Sequence, residues 1–194
     1  MYDIPQSIVL DGKSYGIRNR GDYRMVLDCF SALEDVDLTP EERTLACLMI
    51  FYEDINDIED LDKFPSIQKA TEEMFKFFNC GQEESPGAHT NYKLVDWQRD
   101  SQLISSAINV VAGKEIRLEP YVHWWTFMGY YLGIGESALA TVLNIRSKIA
   151  KGKKLEKYEQ EFKRNNPQYF AWNAKTVEQR EADELAKQLW NSGK

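Results

Sequence analysis

The sequence is poor in the residues that metal sites, disulfide frameworks and membrane spans require. Among 194 residues there are 3 Cys and 2 His. The number of cysteines is odd, and no two of them lie close in sequence: they are Cys29, Cys47 and Cys80. This argues against a disulfide framework and against a CxxC metal site. No run reaches the roughly 18 apolar residues of a membrane span, and the N-terminus lacks the features of a secretory signal. We therefore expect a soluble protein of a reducing cytoplasm, without a membrane partner.

Positive charge is also scarce. The chain has 24 Lys+Arg against 31 Asp+Glu, a net charge of -7, so counterion release would not favour binding to nucleic acid. The imbalance is local, because residues 22–84 hold 17 acids and 5 bases whereas residues 146–164 hold 8 bases and 3 acids. This asymmetry predicts a charged partner or head-to-tail self-association. Two solvated helix faces of opposite sign are the alternative explanation.

What the chain does contain is typical of a helical globular protein. Hydrophobic residues make up 43% and aromatic residues 12%, enough for a sizeable core. Two β-prone runs flank Asp11 and Gly12, which predicts a hairpin over about 7–17. Strands do not alternate with helices, so the predicted fold is all-α. We expect a single helical globule over 1–165, including the hairpin, and a C-terminal helical arm over 166–194.

Seven or eight helices are predicted from the spacing of apolar residues and from start and stop signals. The clearest start is Thr39 with Pro40 and Glu42, which together form a capping box. Gly113 and Pro167 are clear stop signals. The predicted helices cover 22–33, 39–52, 65–79, 96–112, 119–132, 137–150, 153–164 and 175–190.

Two acidic residues and one histidine are candidates for a chemical site. Asp96 and Asp100 are four apart on a predicted helix, so both carboxylates could bind a hard cation with His123 as a third ligand. The alternative is that both acids stabilise a helix start. His123 could also be a base oriented by Glu119, or form a structural hydrogen bond. Because no HExxH, GxSxG or P-loop pattern is present, we predict no catalytic residue, no cofactor and no metal site.

The densest aromatic segment is YVHWWTFMGYYL, which begins at Tyr121. Neighbouring residues on a helix point about 100° apart, so Trp124 and Trp125 can both be buried only if their helix is central. We therefore expect both tryptophans in the core and His123 hydrogen-bonded.

A basic stretch beginning at Arg146 supplies the candidates for partner binding. They are Lys148, Lys151, Lys153, Lys154 and Lys157. These side chains could contact phosphates, but acids interrupt the stretch and the whole chain is acidic. A protein partner is therefore the better electrostatic match.

Three segments carry a resemblance to a known family: DYRMVLDCF, DWQRDSQLISSAI and YVHWWTFMGYYLGIGESALATVLNIRSKI. They resemble a bacteriophage tail-region family, labelled by a gene-product number and encoded near the tape-measure gene of long-tailed phages of Gram-positive bacteria. The resemblance covers most of residues 1–155. Its matching positions are Asp96, Trp97, Asp100, Ile104, Ala107, His123, Trp124, Trp125, Phe127, Ile145 and Arg146.

The resemblance implies a non-enzymatic tail assembly chaperone, or an accessory to one. Such a protein keeps the long tape-measure protein soluble until tail-tube subunits polymerise around it. The expected partners are the tape-measure protein, another tail protein or a second copy of the chain, in the cytoplasm of the infected host rather than in the mature virion. The alternative is a phage protein that binds a host defence complex, either as an acidic mimic of nucleic acid or as a trigger that a defence receptor senses.

Overall fold

The computed structural model describes residues 3–82 and 93–170. Within these residues the chain is mainly helical, with one small antiparallel hairpin at the N-terminus. The predicted all-α class with an N-terminal hairpin is therefore confirmed. The helix predicted over 175–190 lies outside the described residues, as does the predicted arm beyond Phe170. The boundary near residue 165 stays a prediction.

The hairpin consists of β1 (Ser7–Leu10) and β2 (Lys13–Gly16), in a register that pairs Leu10 with Lys13. Asp11 and Gly12 have φ of 47° and 83°. A two-residue hairpin turn of this kind needs positive φ at both central positions, which Asp-Gly tolerates. The turn predicted from the Asp-Gly pair is confirmed.

The seven α-helices of the described residues are α1 (Tyr23–Leu33), α2 (Pro40–Phe51), α3 (Ile67–Phe78), α4 (Ser101–Ala112), α5 (Trp124–Leu132), α6 (Ala138–Ala150) and α7 (Lys157–Asn165). At α2, the Thr39 hydroxyl accepts from the Glu42 amide while the Glu42 carboxylate accepts from the Thr39 amide. The predicted capping box is thus confirmed.

Three helices begin four or five residues later than predicted: α4 at Ser101, α5 at Trp124 and α7 at Lys157. Before α5, Pro120 disfavours helical geometry at Glu119, which has an extended ψ of 133°. The helix can start only after His123, whose backbone is also extended.

The chain divides into two compact units. The first comprises Met1–Ser85 and Ile108–Gly133, and the second comprises Pro86–Ala107 and Ile134–Lys194. The first unit has an aromatic core, in which the Tyr52 hydroxyl donates to the carbonyl of Ala70 at 2.8 Å. In the second unit, α6 buries Leu139, Val142 and Ile145.

Among the helices described, none combines the length and apolar content that crossing a bilayer requires.

Candidate functional site

His123 starts α5 rather than lying within it, so the expectation of a histidine inside a helix is wrong. Its Nδ1 accepts from the Trp125 amide at 3.0 Å, and its Nε2 lies 3.0 Å from the carbonyl oxygen of Pro5. These partners require a neutral ring with its proton on Nε2. The predicted hydrogen-bonded state is confirmed. Glu119, the predicted orienting residue, instead pairs its carboxylate with Lys114 at 3.1 Å.

Burial lowers the pKa of His123 below its ordinary 6.5, although the Pro5 carbonyl and the nearby Asp22 carboxylate oppose the shift. As pH falls below about 6.5, the unfolded chain binds a proton that folded His123 resists, so the free energy of unfolding decreases. Protonation would also abolish Nδ1 as the acceptor for the Trp125 amide.

We expect His123→Asn to flatten the pH dependence of stability. Asparagine is a good helix cap but does not titrate, so the difference in unfolding free energy between about pH 7.5 and about pH 5 should shrink relative to wild type. Urea unfolding at both pH values measures this difference. The carboxylates and His89 are common to both proteins, so an unchanged slope would show that His123 is not the group responsible.

The two tryptophans of α5 hold the end of α3. Trp124 Nε1 donates to the carbonyl of Phe78, and Trp125 Nε1 donates to the carbonyl of Phe77, both at 2.9 Å. The last carbonyls of a helix lack partners within it. The Trp124 indole donates to the carbonyl of Phe78, while the carbonyl of Phe77 accepts from both the Trp125 indole and the Cys80 amide. Trp124 is 1% exposed, as expected, but Trp125 is only half-buried. Phe127 is buried and stacks on Trp124, with ring centroids 5.5 Å apart.

Asp96 and Asp100 precede α4, so the predicted shared helix face is wrong. The Asp96 carboxylate accepts from the Arg99 amide at 2.9 Å, as a capping residue does. Asp100 is 1% exposed and its carboxylate accepts from the Asp96 amide at 3.0 Å. This arrangement matches the alternative in which the acids stabilise the start of a helix. Trp97 is half-buried in the turn between them.

Arg146 joins three segments of the second unit. Its guanidinium forms two hydrogen bonds of 2.6 and 2.9 Å with the Asp100 carboxylate. It also donates to the carbonyls of Leu94 and Tyr169, both at 2.8 Å. Both charged residues belong to the matching positions of the resemblance, but their pairing was not predicted. The sequence signal for this pair was a basic residue, Arg146, among the apolar positions of α6, together with an acidic residue, Asp100, directly before α4.

These contacts argue against the cation site considered for Asp96, Asp100 and His123. Both oxygens of Asp100 already accept from Arg146, and both ring nitrogens of His123 are bonded to backbone groups of Pro5 and Trp125. No group of three potential metal ligands occurs among residues 3–82 and 93–170.

The predicted partner-binding lysines differ in their surroundings. Lys148 forms a 2.7 Å ion pair with Glu159, a fully buried carboxylate that also accepts from Asn144 at 2.9 Å. This pair lowers the pKa of Glu159 and raises that of Lys148. Lys148 is therefore structural. The other four lysines are exposed: Lys151, Lys153, Lys154 and Lys157.

A shallow groove beside α7, with a volume of about 480 Å³, lies among residues that the sequence analysis did not single out. Leu155, Pro167 and Phe170 form its apolar part, and the polar residues are Gln160, Lys163 and Arg164. Leu155 and Phe170 look like isolated apolar residues in a polar segment. Only folding brings them together.

Several exposed apolar side chains lie near the ends of α4 and α5, and we call this group of residues the α4–α5 surface. Its exposed members are Val110, Val111, Leu118 and Leu132. The two helix ends are adjacent, because a Cβ placed on Gly133 would lie 3.2 Å from Val111 Cγ1. The segment after α4 is held to it by a 3.0 Å hydrogen bond from the Ile116 amide to Asn109 Oδ1. Both helix ends and this segment belong to the first unit.

A family model described as "Bacteriophage Gp15 protein" matches residues 1–170. The match spans most of the 194 residues, so the chain belongs to this bacteriophage family. Comparison with curated proteins and with solved structures gives no match.

Proposed function

We propose that this member of the bacteriophage Gp15 family is a non-enzymatic tail assembly chaperone, or an accessory to one. It binds the tape-measure protein in the cytoplasm of the infected host and is absent from the mature virion. Family membership supports the phage context, and the α4–α5 surface supports the binding role.

The α4–α5 surface is the observation that carries this proposal. Val110 and Leu118 are each 83% exposed and Leu132 is 77% exposed. A long helical protein with an exposed apolar stripe aggregates unless the stripe is covered, and amphipathic helices bind by burying such a stripe against an apolar surface. The net charge of -7 would help to keep the complex soluble.

The buried ionisable groups support a non-enzymatic role because each is used within the fold. Catalysis needs a group that can reach a substrate. Asp22 accepts from the Val122 amide, and Asp100 pairs with Arg146. His123 and Glu159 are bonded as described above. These residues stabilise helix starts and join segments.

We expect the chain to co-purify with fragments of the tape-measure protein of its own phage. Val110→Lys should weaken this binding about 10- to 100-fold, because burying one aliphatic side chain contributes about 1.5–3 kcal/mol to the binding free energy. Lysine is well tolerated near the C-terminus of a helix. Isothermal titration calorimetry with a purified fragment measures the affinity of each variant for the tape-measure protein.

Val36→Lys is the matched control for that experiment. It replaces the same residue type at 85% exposure, outside the α4–α5 surface, with the same change of charge. Wild-type affinity is expected for this control. Failure of the wild-type chain to bind any tape-measure fragment, or its presence in stoichiometric amounts in purified particles, would refute the chaperone role.

A second candidate function rests on the acidic surface of the first unit. Residues 53–62 alone contain six acids, of which five are exposed: Glu53, Asp54, Asp57, Glu59 and Asp62. Such a surface could occupy the nucleic-acid groove of a host defence complex. Binding to a purified defence nuclease at micromolar concentration would support this candidate, and its absence would remove it.

A further inference from the structure

The groove beside α7 combines an apolar floor with a cationic edge. Leu155, Pro167 and Phe170 supply the apolar surface, while Lys163 and Arg164 are exposed at its edge. Three further exposed lysines precede α7 or begin it: Lys153, Lys154 and Lys157. A ligand complementary to this groove has an apolar side chain flanked by carboxylates.

A segment of that description is present in the first unit. Ile58 is 63% exposed at the start of a short 3-10 helix, Ile58–Lys63. Five exposed carboxylates lie within five residues of it in the sequence: Glu53, Asp54, Asp57, Glu59 and Asp62. We call residues 53–62 the acidic loop.

The acidic loop holds Ile58 outward in a fixed local conformation. The Asp57 carboxylate accepts from the amides of Glu59 and Asp60 at 3.0 and 3.1 Å. In return, the Asp60 carboxylate accepts from the Asn56 amide at 2.9 Å. Little conformational freedom at this turn would be lost on binding, which favours association.

We propose that the chain associates head to tail with a second copy of itself, with Ile58 and the acidic loop of one copy seated in the α7 groove of the next. The two surfaces carry opposite charge. Their apolar parts are accessible, since Ile58 and Pro167 are exposed and Leu155 and Phe170 are half-buried. This inference concerns a different surface from the α4–α5 surface and does not depend on the tape-measure partner.

The contact joins two different surfaces, so each contact places the loop of one copy in the groove of another. A two-fold dimer with two reciprocal contacts, a closed ring and an open chain all satisfy this pairing. The mass measured by ultracentrifugation distinguishes them. The contact is small and charged, which is typical of transient association that weakens with salt.

Analytical ultracentrifugation of the full-length wild-type chain is the first test. We expect the average mass to rise with concentration up to about 0.5 mM at 0.1 M salt. Raising the salt to about 1 M, where the screening length falls to about 3 Å, should weaken the association about tenfold or more. A monomer at every concentration would overturn the proposal, as would association that salt does not change.

Two variants that each lose one half of the contact provide the decisive test. Ile58→Ser removes the inserted side chain, and Lys163→Gln/Arg164→Gln removes the cations at the groove edge. Each variant alone is expected to be a monomer. An equimolar mixture should form a dimer and nothing larger, because only one intact loop and one intact groove then meet.

Val36→Ser and Lys13→Gln/Lys114→Gln are the controls, since they remove one exposed β-branched aliphatic side chain and two positive charges, respectively, at exposed positions that do not line the groove. Both controls should associate as wild type does. Persistent self-association of either groove or loop variant, or a mixture that stays monomeric, would overturn the proposal. Tape-measure binding by the monomeric variants would show that the two functions are separate.

Discussion

Replacing Trp124 with alanine is expected to lower the free energy of unfolding by about 3–5 kcal/mol, the usual cost of truncating a large buried aromatic residue. Trp124 is 1% exposed, stacks with Phe127 and makes an edge contact with Phe30 at 5.6 Å. The change would also leave the carbonyl of Phe78 without its indole donor. Since domains are stable by only about 5–15 kcal/mol, the variant should be insoluble or molten.

Trp124→Phe separates packing from hydrogen bonding at this position, and Trp125→Ala compares it with the neighbouring tryptophan. Trp124→Phe keeps an aromatic ring but removes the donor to Phe78, and should cost about 1–3 kcal/mol for an unsatisfied buried carbonyl, with some added cost for lost volume. Trp125→Ala should cost less than Trp124→Ala, because Trp125 is half-buried. Urea unfolding measures the free energy of unfolding of all three variants. Near-native stability of Trp124→Ala would mean that α5 is a binding surface and not part of the core.

Removing Asp100 from its ion pair is expected to lower the free energy of unfolding by about 3–5 kcal/mol, because Asp100→Ala leaves Arg146 charged and buried without its counterion. The pair is 7% and 1% exposed at its two side chains. The double variant Asp100→Leu/Arg146→Met should recover much of this loss, since it removes both charges and fills the space with apolar groups.

An exposed ion pair provides the control for this buried one. Arg164 and Glu161 are 4.0 Å apart and mostly exposed, so Glu161→Ala should change stability by at most about 1 kcal/mol. If Asp100→Ala costs no more than Glu161→Ala, the role of Asp100 and Arg146 in joining the segments of the second unit is wrong.

Local signals in the sequence predict much of this fold. The Asp11-Gly12 turn and the Thr39/Glu42 capping box depend on residues only one to three apart, so the sequence specifies them directly. The predicted start of α5 was wrong because the prediction followed the helical spacing of apolar residues and did not take Pro120 into account. A proline disfavours helical geometry at the residue before it. His123 is an unusual capping residue, and no common capping pattern predicts it.

The candidate sites were less predictable because they depend on residues far apart in the chain. Asp100 and Arg146 are 46 residues apart, and only the folded second unit brings them together. The groove beside α7 likewise needs Leu155 and Phe170 to meet. Several matching positions of the resemblance, among them Asp100, Trp124 and Arg146, are buried and hold the fold. Val110, Leu118 and the residues of the α7 groove lie outside the three resembling segments, whereas Leu132 lies within the third.

The most direct test of this account compares Val110→Lys with Trp124→Phe, by measuring for each protein both the melting temperature and the affinity for a tape-measure fragment. The account predicts that Val110→Lys melts like wild type but binds about 10- to 100-fold more weakly. It predicts that Trp124→Phe melts at a lower temperature but binds like wild type at temperatures where it is folded. The opposite result, normal binding by Val110→Lys and lost binding by a stably folded Trp124→Phe, would contradict the division between residues that hold the fold and residues that bind the partner.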